Sequence, residues 1–492
     1  MKPAASLVLL ALACLVALDA HARPGGGQGY SGGGGGSSGG SSSGDGLIFE
    51  LLLRLIIYYP QVGIPLAIAV LVIFWLRARH GATVRSEQFS SSGSLEFADL
   101  TPRPTADLAS LRRRDPEFSL VLFEDFLYAL YARIHTARSD PAAMAVLAPY
   151  IAQGSRDALL KRDPVGQVID GVIIGALRIA SIKDVDGVIR IDLDIEANYT
   201  AHGPRGPQGY YVHERWTVER GAEIVTRPRE PGDAWEFRCP NCGAAFESTG
   251  SDRCRFCKQE VGEGRFDWSV SHVRMLRQET RPPALTADVA EQGTGRRTIF
   301  DPQVQAQHAA LIAEDPGARP ELIEQRLRAI YSELNAAWTA LDLSKIRPLV
   351  SDSLYNYLVY WISAYRQQGL RNVLEDMAIQ RLQFVKLVRD RHYDAITIRF
   401  FAEGRDYTVS VADNKRVSGD KQRKRKYSEY WTLIRGAKVR GAPRDAGTCP
   451  SCGAPTDKVS MAGACEYCGA HLTRGEFDWV LSKIEQDESY RG

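Results

Sequence analysis

An excess of charge of one sign is missing from this sequence: 61 Lys and Arg against 59 Asp and Glu leave a formal net charge of +2 over 492 residues. A balance so near neutral gives no reason to expect nucleic acid or another polyanion as a partner. Catalytic signatures are missing too. The body of the chain has no HExxH, no nucleophile elbow and no phosphate loop, and His135, His213 and His392 stand outside any metal or triad spacing. Gly-x-Gly-x-x-Gly matches occur, but they lie inside a Gly/Ser run and have no strand or helix context. Lys and Arg are absent between Arg23 and Arg54, and nothing between residues 55 and 76 is charged. Apolar content of 44% and charged content of 24% are ordinary for a globular protein. The length exceeds what one core usually supports, so two or three domains are expected.

The uncharged stretch organises the N-terminal part. Residues 1–22 read as a signal peptide: Lys2, an apolar run, then Ala20-His21-Ala22 as a small-x-small cleavage site. Residues 23–46 are Gly/Ser-rich and too polar to offset their ordering entropy, hence an expected disordered tail. Residues 47–59 read either as a segment along the outer interface or as an extension of the span. Residues 60–76 are expected to form the transmembrane helix, with Tyr58 and Tyr59 at one edge and Phe74 and Trp75 at the other. Arg77, Arg79 and Arg85 follow it, so the positive-inside rule puts the C-terminal body in the cytoplasm of a bacterial inner membrane. Residues 77–114 form a linker.

Eight cysteines stand in two matched sets: Cys239, Cys242, Cys254, Cys257 and Cys449, Cys452, Cys465, Cys468. Paired CxxC knuckles present four thiolates to a zinc ion at about 2.3 Å, a closed structural site with no open position. Pro240, Gly243, Pro450, Gly453 and Gly469 suit the turns that aim backbone N–H groups at the sulfurs. Two structural zinc ions are expected, and thiolate sites of this kind suit a reducing compartment, in agreement with the charge asymmetry. Each set is followed by the same tripeptide, Phe266-Asp267-Trp268 and Phe477-Asp478-Trp479. Asp115-Pro116 and Asp315-Pro316 open the two copies, and Glu214-Arg215-Trp216-Thr217 answers Glu429-Tyr430-Trp431-Thr432.

Within each copy, helical periodicity gives way to strand alternation, which is an α+β order. In the second copy a helix is expected after Pro320, another over 351–365, and strands at 384–388, 395–401, 407–411 and 427–433. In the first copy a helix is expected over 118–135, with strands near 173–182, 188–197 and 210–218. The segments after Phe-Asp-Trp, with Val270, Val273 and Leu276 or Val480, Leu481 and Ile484, are expected as short amphipathic helices, packed on their own domain or docking a partner.

Ala337-Trp338, Ile346-Arg347-Pro348, Arg371-Asn372-Val373-Leu374-Glu375-Asp376, Val417-Ser418-Gly419-Asp420 and Glu429-Tyr430-Trp431-Thr432 resemble the bacterial branch of the mitochondrial inner-membrane translocase subunit 44 family. The resemblance covers residues 303–436 closely and 115–221 more distantly, where the Arg-Asn-Val-Leu-Glu-Asp and Ser-Gly-Asp elements are missing. It implies two cystatin-like domains, each a bent antiparallel sheet whose helices enclose an apolar pocket. The mitochondrial member tethers a chaperone motor to an import channel at an anionic membrane. The expected organisation is a first domain over 115–225, a ribbon with short helix over 235–278, a linker over 279–302, a second domain over 303–440 and a second ribbon with short helix over 447–488.

Trp338, Trp361, Glu429 and Trp431 are the candidate pocket residues. Glu214 and Glu429 read first as cross-strand partners of a sheet Arg or Lys, with a general base as the alternative. Lys421, Arg423, Lys424, Arg425 and Lys426 form a basic run between two strands, either a solvated hairpin or a contact for anionic lipid head groups. The expected function is a non-catalytic, membrane-tethered binding or scaffold protein that holds an apolar protein segment or lipid, in membrane-protein assembly or transport. A cystatin-like-fold enzyme is the alternative.

Overall fold

The computed structural model describes residues 108–204, 206–227, 236–247, 252–280, 285, 293–444, 447–487 and 489–492, all within one compact unit. The signal peptide, the tail, residues 47–59, the span at 60–76 and most of the 77–114 linker lie outside the described residues. Among the described residues no helix is long and apolar enough to cross a membrane.

Two α+β halves follow one another. The first runs α1 (Leu108–Arg114), α2 (Leu120–Ala137), α3 (Pro141–Val146), a 3-10 turn at Ala148–Tyr150 and α4 (Gln153–Leu160). Its strands are β1 (Val168–Val185), β2 (Val188–Gly203), β3 (Gly206–Gly221) and β4 (Ser269–Thr280), an antiparallel sheet in that order. The second half has α5 (Val304–Glu314), α6 (Pro320–Ala340), a 3-10 turn at Arg347–Leu349 and α7 (Asp352–Gln367). Strands β5 (Leu370–Arg389), β6 (Tyr393–Ser410), β8 (Arg425–Gly436) and β9 (Val480–Gln486) follow, with β7 (Arg416–Gly419) paired to β6.

Local chemistry accounts for the element ends. Ser119 caps α2 by accepting from Leu122 N, and Ser351 caps α7 by accepting from Leu354 N. Pro320 opens α6, where a missing N–H costs nothing, and Leu341 closes it in the left-handed region. Asp186 and Gly187, both at positive φ, make the two-residue turn between β1 and β2. The apolar stripe of α6 (Ile323, Leu327, Ile330, Leu334, Trp338) buries itself on Ile398, Phe400 and Trp431 of the sheet. The equivalent stripe of α2 lies on Leu193, Ile195 and Trp216.

The segments after Phe-Asp-Trp are strands, not helices. β4 pairs with β3 and β9 with β8, each completing its sheet. A bulge explains the misleading spacing. Ser271 is skipped between the pairs Val218–Val270 and Thr217–His272, and Ser482 between Leu433–Leu481 and Thr432–Lys483. One extra residue turns the strand period of two into the three that mimics a helix face. Each cysteine ribbon is therefore an excursion between the third and fourth strands rather than an appendix to a finished domain.

Residues 395–401 and 407–410 belong to one strand, β6, which continues past Gly404 without a break, and Val411 lies in the turn after it. Opposite it, Asp376 at φ 52° forms a bulge in β5, and a Cβ on Gly404 would strike Met377. The sheet bends there instead of ending. β5 begins at Leu370, so the Arg371–Asp376 motif is strand rather than connection.

The halves pack on each other. Val121 of α2 joins Tyr393, Ala395, Ile434 and Val480 on the outer face of the second sheet. Across the same interface, Ser353 donates to Asp125 at 3.2 Å and Lys483 pairs with Glu124 at 2.5 Å.

Candidate metal centres and buried polar clusters

In each ribbon the four Sγ atoms lie within 4.8 Å of one another. Cys239–Cys257 and Cys449–Cys468 are 3.8 Å apart, and Cys242–Cys254 and Cys452–Cys465 are 3.9 Å apart. Disulfides need about 2.05 Å, and all eight thiols are free. Tetrahedral sulfurs at about 2.3 Å from one ion sit roughly 3.8 Å apart, so the donor sets fit a metal. Each knuckle is a tight turn closed by a backbone bond, such as Gly243 N to Cys239 O and Gly469 N to Cys465 O, both 2.8 Å. Three knuckles place glycine at the positive-φ position (Gly243, Gly453, Gly469); the fourth strains Lys258 into it at φ 63°. A hydrogen bond from the Asn241 side chain, then one from the Gln259 backbone, draws the Cys257 thiol down to about 6.

The ribbons are bolted to their halves by matched contacts. Ala148 packs with Cys239, Phe246, Cys254 and Val261, and Arg156 bonds Asp252 at 2.6 Å. In the second half Arg347 donates to Met461 O and to Asp352. Where each ribbon rejoins the sheet, Gly264 and Gly475 lie so close to Arg220 and Arg435 that a Cβ would meet their Cα atoms at 2.9 Å. Arg220 pairs with Asp115 and Arg435 with Asp315, each at 2.7 Å. Both guanidinium groups lie over the tryptophan of the downstream tripeptide. The recurrence of Asp-Pro, Arg-Gly and Phe-Asp-Trp in both copies was the available signal for this latch; each element alone says little.

Trp338, Trp361, Glu429 and Trp431 do come together, but inside a packed core, at 0%, 0%, 1% and 2% exposure. Glu429 accepts from Trp431 Nε1 at 2.9 Å. Asn372 of the Arg-Asn-Val-Leu-Glu-Asp motif accepts from Trp338 Nε1 and donates to Asp406, tying α6 to the sheet interior. Glu375 and Asp376 both pair with Arg405.

The first half is wired differently. Tyr131 packs on Trp216 as Tyr331 packs on Trp431. Counting along α2 and α6 from these tyrosines, His135 takes the place of Asn335 and Arg138 that of Trp338. Glu214 accepts from His135 Nε2 at 3.0 Å, Trp216 Nε1 at 2.9 Å and Arg162 at 2.6 Å. Arg138 lies 2.7 Å from His135 Nδ1. A guanidinium only donates, so Nδ1 accepts and Nε2 carries the proton: the imidazole is neutral. Burial pushes the His135 pKa down, in the same sense. Burial alone would raise Glu214, but His135 and Arg162 outweigh it and hold the carboxylate well below its usual range. The sequence offered no signal for His135, which is separated from Glu214 by 79 positions.

Lys421, Arg423 and Lys424 of the basic run lie in the turn between β7 and β8, and Arg425 and Lys426 open β8. Lys421, Arg423, Lys424 and Lys426 are exposed and Arg425 half-buried. Arg423 pairs loosely with Asp420, Lys424 with Glu403, and Lys421 lies 5.1 Å from the Tyr407 ring centre. Gly419 is required just before it, since a Cβ there would lie 2.4 Å from Asp406 O.

Residues 304–444 match the family model of the Tim44-like domain. Among solved structures, an "Ntf2 like protein involved in plasmid conjugation" is similar at 9% identity and a TM-score of 0.17, over 75% of this chain and 95% of that one. No curated protein matches the chain. The Tim44-like match suggests a binding or scaffold role.

Proposed function

We propose that this is a non-catalytic scaffold, tethered to a bacterial inner membrane by residues 60–76, with its metal-clamped body in the cytoplasm and a protein segment or lipid as its ligand. The ribbons hold zinc: Cys239, Cys242, Cys254 and Cys257 take one ion, Cys449, Cys452, Cys465 and Cys468 the other, and with four protein ligands each ion is structural. One observation carries the non-catalytic part. The two carboxylates that a cystatin-like enzyme would use, Glu214 and Glu429, are 0% and 1% exposed and already engaged as acceptors. A general base needs a raised pKa and room for substrate; Glu214 is held low. Ligand contact is then assigned to outer surfaces, among them the Lys421–Lys426 turn for anionic head groups or acidic protein.

The test uses the full-length chain in cells that lack it. Glu429→Gln keeps an acceptor for Trp431 and should restore function wherever the variant melts as wild type does. A folded Glu429→Gln chain without function would favour the enzyme. Spheroplast proteolysis checks the tether: the body should be protected until the membrane is broken.

A further inference from the structure

On its outer face the second sheet carries one polar row across all four main strands. The register aligns Lys386 with Thr397, Thr397 with Thr432 and Thr432 with Lys483. Their neighbours Ile396, Ile398 and Leu433 point into the core, so alternation turns the row outward, toward the first half. There it floors a cleft of about 180 Å³ between the halves. Leu120 and Val121 of α2 and Leu177 and Ile179 of β1 roof it, and Val388, Ala395 and Ile434 form an apolar wall beside the row.

Not every charged side chain in this cleft has a direct ion-pair partner. Lys483 is paired with Glu124, and Arg178 with Glu196 at 2.8 Å. The two threonine hydroxyls are 2.9 Å apart and share one hydrogen bond, which leaves a hydroxyl proton free to donate outward. Lys386 has no hydrogen bond or ion pair among the described residues. Burial, then the nearby Lys483 charge, pushes its pKa down, and Glu124, Glu485 and Asp301 oppose that shift without pairing directly with it. Glu485 also lines the cleft, where burial raises its carboxyl pKa against the pull of Lys483 and Lys386. An ammonium in such a place is costly without an anion beside it.

We propose that the cleft binds a small monocarboxylate with a short apolar chain, its carboxylate on Lys386 and the Thr397–Thr432 hydroxyls and its chain against Val121, Leu177 and Ile434. Among the described residues of the cleft, one lysine without a direct ion pair matches a single negative charge. With Glu124 already paired to Lys483, a dianionic phosphate would set a second negative charge near Glu485 with Lys386 alone to offset it. The apolar roof comes from the first half and the cation from the second, so the ligand bridges them. This site lies outside the two interiors and does not rest on the scaffold assignment.

The experiment is a thermal-shift and calorimetric titration of the full-length chain in detergent with butyrate, butyramide and butylammonium. Butyrate should raise the melting temperature and bind, and the other two should not. Lys386→Met should weaken butyrate binding roughly 10- to 100-fold, the loss of one charge-assisted hydrogen bond, while Lys386→Arg should retain most of it. Val121→Phe, which fills the cleft while staying apolar, should abolish binding in a folded chain. The proposal fails if butyrate produces no shift, if butyramide or butylammonium matches it, or if folded Lys386→Met binds as wild type does.

Discussion

The guanidinium of Arg435 lies 4.4 Å from the ring centre of Trp479, and its other side is held by Asp315. Arg220, Trp268 and Asp115 repeat the arrangement with the same 4.4 Å spacing. Each tryptophan is the last residue before its fourth strand, so the latch joins the ribbon's exit to the start of its half.

Trp479→Ala should therefore cost about 3–5 kcal/mol, the usual range for a buried aromatic, because Trp479 is fully buried. Arg435→Met should also destabilise, since it leaves Asp315 buried without its partner. Urea unfolding of both variants measures this. A double mutant whose loss falls well short of the sum of the single losses would confirm that the pair acts as a unit.

Metal removal should act on the sheets and not only on the ribbons. Elemental analysis is expected to find one zinc per four-cysteine cluster. A strong chelator should then speed hydrogen exchange in Val480–Gln486 and Ser269–Thr280, because the ribbons connect these strands to their neighbours. Exchange that changes within the ribbons alone would show that the fourth strands stand without metal.

Stability should fall as pH rises between about 4 and 7. Burial raises the Asp125 pKa to about 7 at the interface between the halves, with Asp352 and Glu124 adding like charge. The unfolded value is about 3.9, so folding takes up a proton within that window and the cost is complete above it. Asp125→Asn keeps an acceptor for Ser353. Its melting temperature should exceed that of wild type at pH 8, and the difference should close toward pH 4.

Lys258→Gly should stabilise the first ribbon by about 1 kcal/mol, the cost of a side chain in the left-handed region. The matching positions Gly243, Gly453 and Gly469 already have that freedom. Thermal unfolding of the metal-loaded chain reads the effect, and zinc affinity should rise with it.

Much of this architecture was legible because the chain states it twice. The cysteine sets, the Glu-x-Trp pairs and the α+β order all recur at matching places. The fourth strands were not legible, since the skipped Ser271 and Ser482 convert an alternating pattern into a helical one. The closed interior was also hidden. Trp338 and Trp361 suit a pocket wall and a packed core equally well by composition, and only the facing Ile398, Phe400 and Trp431 decide between them. The Glu214–His135 bond depends on α2 crossing β3, which no local spacing encodes.

The placement of the ribbons also sets an order of events during synthesis. Gly221 ends the third strand and Ser269 starts the fourth, 48 positions later (269 − 221); in the second half Gly436 and Val480 are 44 apart (480 − 436). A ribosome needs several seconds to cover such a stretch. During that interval each half waits without its last strand, with one sheet edge open. The cysteines emerge before the last strand is available, so a metal ion that they take up can be captured while the chain is still nascent.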